Sequence, residues 1–182
     1  MLQTIFETPR LILKTSNESM ARETLRFYQS NKVDFEATEP IYHPDFYTEH
    51  FQATMLKYER SEIRKGKMLR LWIFPREDPD QIIGTVSFHN IRHGSFCDCE
   101  TGYKMDAAFR RKGYCKEALA FGMSLMFDSY HLHRITAIVL PENNASIQLL
   151  ESLGYEKEGL LKQNVLLQGT WKSHYIFAYV RS

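Results

Sequence analysis

Between Met68 and Met105 the chain carries three β-rich runs, Met68 to Phe74, Gln81 to Ile91 and Cys97 to Met105, with only turn-forming residues between them. The apolar period then changes to that of a helix: Leu119, Met123, Met126 or Phe127, and Tyr130 share one face. This switch constrains the fold more than any other feature. The turns Pro75 to Asp80 and His93 to Ser95 predict an antiparallel meander of three strands, followed by a helix entered near Lys112. On the N-terminal side, Arg10 to Lys14 reads as a strand, then a helix capped by Ser16 or Asn17 running to about Lys32, then a second over Phe46 to Lys65 ending at Gly66. On the C-terminal side, Arg134 to Leu140 reads as a buried strand and Asn143 to Leu153 as a helix closed by Gly154. Tyr155 to Leu167 and Trp171 to Val180 form a closing hairpin about Gln168-Gly169-Thr170. The order β-α-α-β-β-β-α-β-α-β-β predicts an α/β (α+β) fold, a mixed sheet of about seven strands with helices on both faces.

The 182 residues, 43% of them hydrophobic, suit a single domain spanning 1–182, with no linker or repeat inside it. Lys and Arg number 23 against 22 Asp and Glu, a net charge of +1 that argues against a direct nucleic-acid partner. The first ten residues lack a basic, apolar leader pattern, and no apolar run approaches the roughly 18 residues of a membrane span. Three cysteines without regular spacing do not make a disulfide framework. A cytoplasmic location without membrane association is expected.

The segment with chemical content is Tyr103-Lys104-Met105 followed by Phe109-Arg110-Arg111-Lys112-Gly113-Tyr114-Cys115. A strand ends, a short basic loop with a glycine follows, and a helix begins. Such a loop points successive backbone N–H groups into one concavity, and the helix start contributes roughly half a positive charge. Arg110, Arg111 and Lys112 add cations, and Gly113 leaves the backbone open to close approach. This is the chemistry of a pyrophosphate site; the competing reading is a basic helix-capping loop without a ligand. Neither Gly-x-x-x-x-Gly-Lys-Ser/Thr nor Gly-x-Gly-x-x-Gly occurs, which removes support for nucleotide hydrolysis and hydride transfer.

Arg110-x-x-Gly113-x-Cys115 resembles the acetyl-coenzyme A pyrophosphate signature of the GNAT superfamily of N-acetyltransferases. Asn143-x-x-Ser146 followed by Leu153-Gly154-Tyr155 is similar to an element of the branch that acetylates ribosomal-protein N-termini at alanine or serine. Glu7 to Leu13 and Glu158-Gly159 match that branch too, so the resemblance runs nearly end to end. It implies a sheet splayed between the strand ending at Met105 and the strand Ile135 to Leu140, the fourth and fifth of the seven. Acetyl-CoA is then the cosubstrate: backbone groups of Tyr103, Lys104 and Met105 pair with pantetheine, Arg110 to Cys115 hold the pyrophosphate, and Asn143 bonds near the pantetheine arm. A backbone N–H near Met105 polarises the thioester carbonyl.

The implied reaction is direct attack of an amine on the thioester, which needs a base for the amine proton and an acid for the thiolate. Many superfamily members use a Tyr where this chain has Leu150; the branch suggests Ser146 instead, directly or through water. Part of the branch carries a Glu that falls here on Val165, which cannot serve. Glu100, shortly before the cofactor-facing end of its strand, is then the first candidate base, with His89 and Asn90 as residues that order a water. An α-amine with a pKa of about 7.8 is roughly 10–15% neutral at pH 7, whereas a lysine at about 10.4 is below about 0.1% neutral, so a weak base suits α-amines. The expected acceptor is a peptide N-terminus. The alternatives are a small amine such as a polyamine, amino acid or aminoglycoside, or a non-catalytic CoA-binding or interaction module, because Arg111 and Cys115 stand where smaller residues are usual and could crowd the loop.

Cys97-Asp98-Cys99 with His89 and His93 is too tightly spaced for zinc, so no metal is expected. Cys115, at a helix start beside two cations, is expected to have a lowered pKa but to act as a small packing residue. His131, His133 and His174 read as polar residues at strand ends. Tyr42, His43, Phe46, Tyr47 and Phe51 lie where the family's first helices wall the acceptor pocket. Pairing of the closing strands with a second copy would give a homodimer.

Overall fold

The computed structural model describes residues 3–181, so the first two residues of the opening segment lie outside it. The chain forms one eight-stranded sheet in the order β1-β2-β3-β4-β5-β6-β8-β7. The strands are β1 (Ile5–Glu7), β2 (Leu11–Thr15), β3 (Leu69–Pro75), β4 (Gly84–Arg92), β5 (Asp98–Met105), β6 (Arg134–Val139), β7 (Glu156–Leu167) and β8 (Thr170–Val180). The helices are α1 (Ala21–Ser30), α2 (Lys32–Glu36), α3 (Glu49–Arg64), α4 (Tyr114–Asp128) and α5 (Asn144–Ser152). The strand beyond the expected seven is β1, three residues pairing antiparallel with β2 and too short to show a period.

Alternation along β3 divides the core. Leu69, Leu71 and Ile73 pack with Leu119, Met123 and Met126 of α4, whereas Trp72 and Phe74 pack with Phe27, Tyr28, Phe35 and Leu56 of the first three helices. Helices therefore cover both faces, as the order of elements predicts. Gly122 allows α4 to lie close: a Cβ there would sit 2.4 Å from the Phe88 ring. The expected helix to Lys32 is instead a 3₁₀ turn at Glu18–Met20, then α1 and α2, broken at Asn31. Asn31 is buried, donates to the Phe27 carbonyl and Asp106, and accepts from the Ala107 backbone, so it ties the break to the end of β5. The second helix begins at Glu49 rather than Phe46, because the Thr48 hydroxyl accepts from Phe51 N–H and caps it. α4 begins at Tyr114, two residues beyond Lys112.

β3, β4 and β5 form the expected antiparallel meander. β5 and β6 are the only parallel neighbours in the described sheet, and they pair at just three positions, the last being Glu100 with Thr136. Beyond it β5 continues to Met105 and β6 to Val139 without a shared ladder. β6 is consequently buried on one side only: Ile135, Ala137 and Val139 are in the core, while Ile138 is exposed.

Candidate active site

The gap between β5 and β6 opens into a cavity of about 960 Å³. Its walls are the two strands, the tip of β4 at His89 and Asn90, the start of α5 and the β7–β8 hairpin, with Thr38 to Pro40 crossing one end. The Gln168 side chain donates to the carbonyls of Glu36 and Glu39 and ties the hairpin to that crossing loop.

The backbone decides what β5 offers the gap. Asp106 N–H donates to Ile83 C=O in the β4 direction, so by alternation the main-chain groups of Lys104 and Gly102 also point toward β4. Those of Tyr103 and Met105, beyond the last pairing of Glu100 with Thr136, point toward the gap, where no strand receives them. Lys104 is thus turned away from the expected pantetheine edge, and its ammonium lies 2.7 Å from Glu39. Met105 C=O accepts from Arg110 Nε at 3.2 Å.

At the end of the gap the chain turns into the basic loop. Gly113 caps α4 with φ +79°, in the left-handed region that glycine enters without strain, and Arg111 precedes it at +60°. The first backbone bond of the helix runs from Glu117 N–H to Gly113 C=O, so the N–H groups of Tyr114, Cys115 and Lys116 have no intrahelical acceptor. The loop is held from behind. Arg10 donates to Lys112 C=O at 2.8 Å and to Glu117 at 2.7 Å, and Glu117 also accepts from the Thr8 hydroxyl and the Arg10 backbone. Burial raises the Glu117 pKa, but these bonds and the Arg10 charge outweigh it and hold the carboxyl below its ordinary value. Arg10 and Glu117 are 107 residues apart in sequence, and no local pattern joins them. Arg110 is paired with Asp34 at 2.8 Å, whereas Arg111 and Lys112 are exposed.

Cys115 takes the expected packing role, but its pKa moves the opposite way from expectation. It packs against the core, and burial pushes its thiol up to about 12. The cysteine cluster does not converge either: Cys97 Sγ contacts Gly94 C=O, Asp98 pairs with Arg92, and Cys99 is buried in the core. Among the described residues no group of His, Cys, Asp and Glu is arranged to hold a metal ion.

Asn143 caps α5, its side-chain oxygen accepting from Ser146 N–H at 3.1 Å, which leaves its amide N–H groups for another partner. Ser146 Oγ lies 2.5 Å from the Tyr103 hydroxyl. Leu150 is fully buried. Tyr103 packs toward α4, so the alternating residues Glu100, Gly102 and Lys104 belong to the opposite face, that of the first three helices. Glu100 accepts from Asn90 Nδ2 at 3.0 Å and lies 3.7 Å from His89 Nε2. A β-bulge between His89 and Arg92, with Asn90 at φ +53°, turns this pair of side chains toward it. Burial, with Arg70 and Lys104 adding and Glu100 opposing, lowers the His89 pKa, so the imidazole is neutral at pH 7.

Val165 follows a wide irregularity in β7, between Leu161 and Val165, that brings Asn164 within 2.8 Å of His174 Nδ1. His174 is not at a strand end: it is buried in the middle of β8 and lines the cavity. His131 and His133 lie in the turn before β6. The aromatic group is packed rather than splayed: Tyr42 stacks on Phe46 at 4.0 Å, and both line a smaller cavity of about 190 Å³ that also touches Glu39, Glu59 and Arg70.

Residues 10–156 match the model of the acetyltransferase (GNAT) domain. The chain belongs to the GNAT acetyltransferase family. Probable N-acetyltransferase YjcK of Bacillus subtilis is 34% identical over 158 residues, 87% of each chain. The [ribosomal protein uS5]-alanine N-acetyltransferase of Escherichia coli is 32% identical over 174 residues, covering 94% of this chain and 88% of its own. Among solved structures, Mycobacterium smegmatis RimJ in complex with CoA-disulfide superposes with a TM-score of 0.90 at 26% identity, covering 98% of this chain and 87% of that one. The expected N-acetyltransferase character and the splayed sheet agree with these relatives. No helix among the described residues is long and apolar enough to cross a membrane.

Proposed function

We propose that this GNAT enzyme transfers the acetyl group of acetyl-CoA to the α-amine of a protein or peptide N-terminus. The observation that carries the choice of acceptor is the charge of the cavity. Its lining holds three carboxylates, Glu39, Asp98 and Glu100, against four cations, Arg70, Arg92, Lys104 and Arg134. Glu39 is paired with Lys104 and Asp98 with Arg92, so Glu100 is the one lining carboxylate without a Lys or Arg partner among the described residues. The four cations are all paired as well, Arg70 with Glu59 and Arg134 with Glu158 besides the two pairs above, so a polyamine or aminoglycoside would find one unpaired carboxylate for its several charges, whereas a single amine needs one. Similarity to a ribosomal-protein alanine acetyltransferase supports the same reading.

In this reading the backbone of Tyr103 and Met105 receives pantetheine, and the Gly113 loop with the free N–H groups of residues 114–116 receives the diphosphate. Arg110 acts from beneath, fixing the loop to Asp34 and Met105. Acetyl-CoA supplies the activated acyl carbon. The amine nitrogen bonds to that carbon as the C–S bond breaks; Glu100, directly or through a water held with His89 and Asn90, takes the amine proton, and Ser146 gives a proton to sulfur. Glu100 and Ser146 lie toward opposite faces of the sheet, which separates the two proton transfers.

The test is an acetyl-CoA consumption assay across peptides with free N-termini, the same peptides N-terminally blocked but containing lysine, polyamines and aminoglycosides. Turnover confined to free N-termini is expected. Turnover of polyamines with none of peptides would overturn the acceptor assignment.

A further inference from the structure

The Tyr103 hydroxyl is spoken for in a way that determines where the Ser146 proton points. Tyr103 is on β5 and Ser146 in the first turn of α5, 43 residues apart, yet their oxygens are 2.5 Å apart. The only other contact of this hydroxyl among the described residues is the Ser146 carbonyl, at a long 3.5 Å. A hydroxyl carries one hydrogen, so a bond between two hydroxyls leaves one of the two hydrogens free to serve elsewhere.

Burial pushes the Tyr103 phenol up, so it keeps its proton throughout the working range. A buried phenolic O–H needs an acceptor, and the serine oxygen is the one at good distance. With the phenol as donor, Ser146 Oγ accepts and the serine hydrogen is free to point into the cavity that both residues line. With the order reversed, Ser146 would have no proton to give. Leu150 has no hydroxyl, so this phenol reaches α5 from the strand beside it.

We propose that Tyr103 is a positioning residue whose hydroxyl donates to Ser146 Oγ and thereby orients the Ser146 O–H toward the departing CoA sulfur. The proposal rests on Ser146 being the acid. In the step, the C–S bond breaks with its electron pair on sulfur, the Ser146 proton passes to that sulfur, and the serine oxygen, still hydrogen-bonded by the phenol, recovers a proton from solvent or from the base side before the next turnover. Tyr103 loses no net proton.

The experiment is a double-mutant cycle with Tyr103→Phe, Ser146→Ala and both together, reading kcat and KM with a peptide acceptor and coenzyme A affinity by calorimetry. Ser146→Ala is expected to lower kcat roughly 100-fold, and Tyr103→Phe about tenfold, each with CoA affinity within about twofold of the parent. The double variant is expected to match Ser146→Ala, because an orienting bond has no value once its target is gone. Unchanged kcat in Tyr103→Phe overturns the proposal, as do multiplicative losses in the double variant. Loss of CoA affinity in Tyr103→Phe also overturns it, since the phenol would then be a structural part of the cofactor wall. Each of these leaves Ser146 as the acid if Ser146→Ala is slow, whereas unchanged turnover in Ser146→Ala removes the acid assignment and the orientation with it.

Discussion

The two ends of the cleft are built by different means. The Gly113 end is backbone: a left-handed glycine and the unbonded N–H groups of a helix start, contiguous in sequence and braced by Arg10 and Glu117. The acceptor end is side chains from separate elements: Glu100 of β5, His89 and Asn90 at the β4 bulge, Asn164 and His174 across the β7–β8 ladder. A backbone site binds any partner with the right anion, whereas a side-chain site can be retuned one residue at a time. In the proposed reading the first end fixes the cofactor, and the second carries the choice of acceptor.

The largest effect should come from spoiling the backbone end. Gly113→Asp forces a non-glycine residue to φ +79° and adds a negative charge to the loop; acetyl-CoA affinity by calorimetry should fall by roughly 100-fold or more. Its Cβ would lie 3.2 Å from Arg10 Nη2 in a backbone conformation that costs roughly 1–2 kcal/mol, so the fold should survive with a melting midpoint lowered by a few degrees. Next is Glu100→Gln, expected to lower kcat about tenfold or more with acetyl-CoA affinity unchanged; equal kcat would take the base role from Glu100. Glu117→Gln should weaken acetyl-CoA binding by a smaller factor, about three- to tenfold, because it loosens the brace and leaves the N–H groups in place.

Glu117 also carries a pH signature. Its carboxyl titrates lower in the fold than its ordinary value near 4.5, so its contribution to stability is full above that value and is lost as pH falls through the folded pKa. Denaturant midpoints of the parent should drop below pH 4.5 more steeply than those of Glu117→Gln. Parallel curves would contradict the brace. The smallest effect is expected for Arg110→Ala, whose pair with Asp34 is half-exposed on both sides: less than about fivefold in affinity, consistent with a surface pair of at most about 1 kcal/mol.

The same contrast explains what the sequence disclosed. The loop, α4 and the Asn143-x-x-Ser146 cap are local patterns with a fixed spacing; the cap lines the gap, and the loop follows the strand that bounds it. The meander and its turns were equally legible, because alternation and Pro, Gly and Asp clusters act over a few residues. β1 escaped notice because three residues make no period, and the break at Asn31 because it depends on bonds to Asp106 and Ala107 far along the chain. The position of His174 is hidden for a related reason: the irregularity in β7 that brings Asn164 to it has no signature of its own. The packing of Cys115 is legible from its small size, but the direction of its pKa depends on burial, which the local charges do not reveal.

The central claim is that the bend at Gly113 grips a diphosphate. Titration of the enzyme with acetyl-CoA and with S-acetylpantetheine, which lacks the nucleotide diphosphate, measures that grip directly in the parent and in Gly113→Asp. The parent should bind acetyl-CoA far more tightly than the truncated thioester, and the gap should all but close in the variant. Equal affinity of the parent for both ligands would contradict the account.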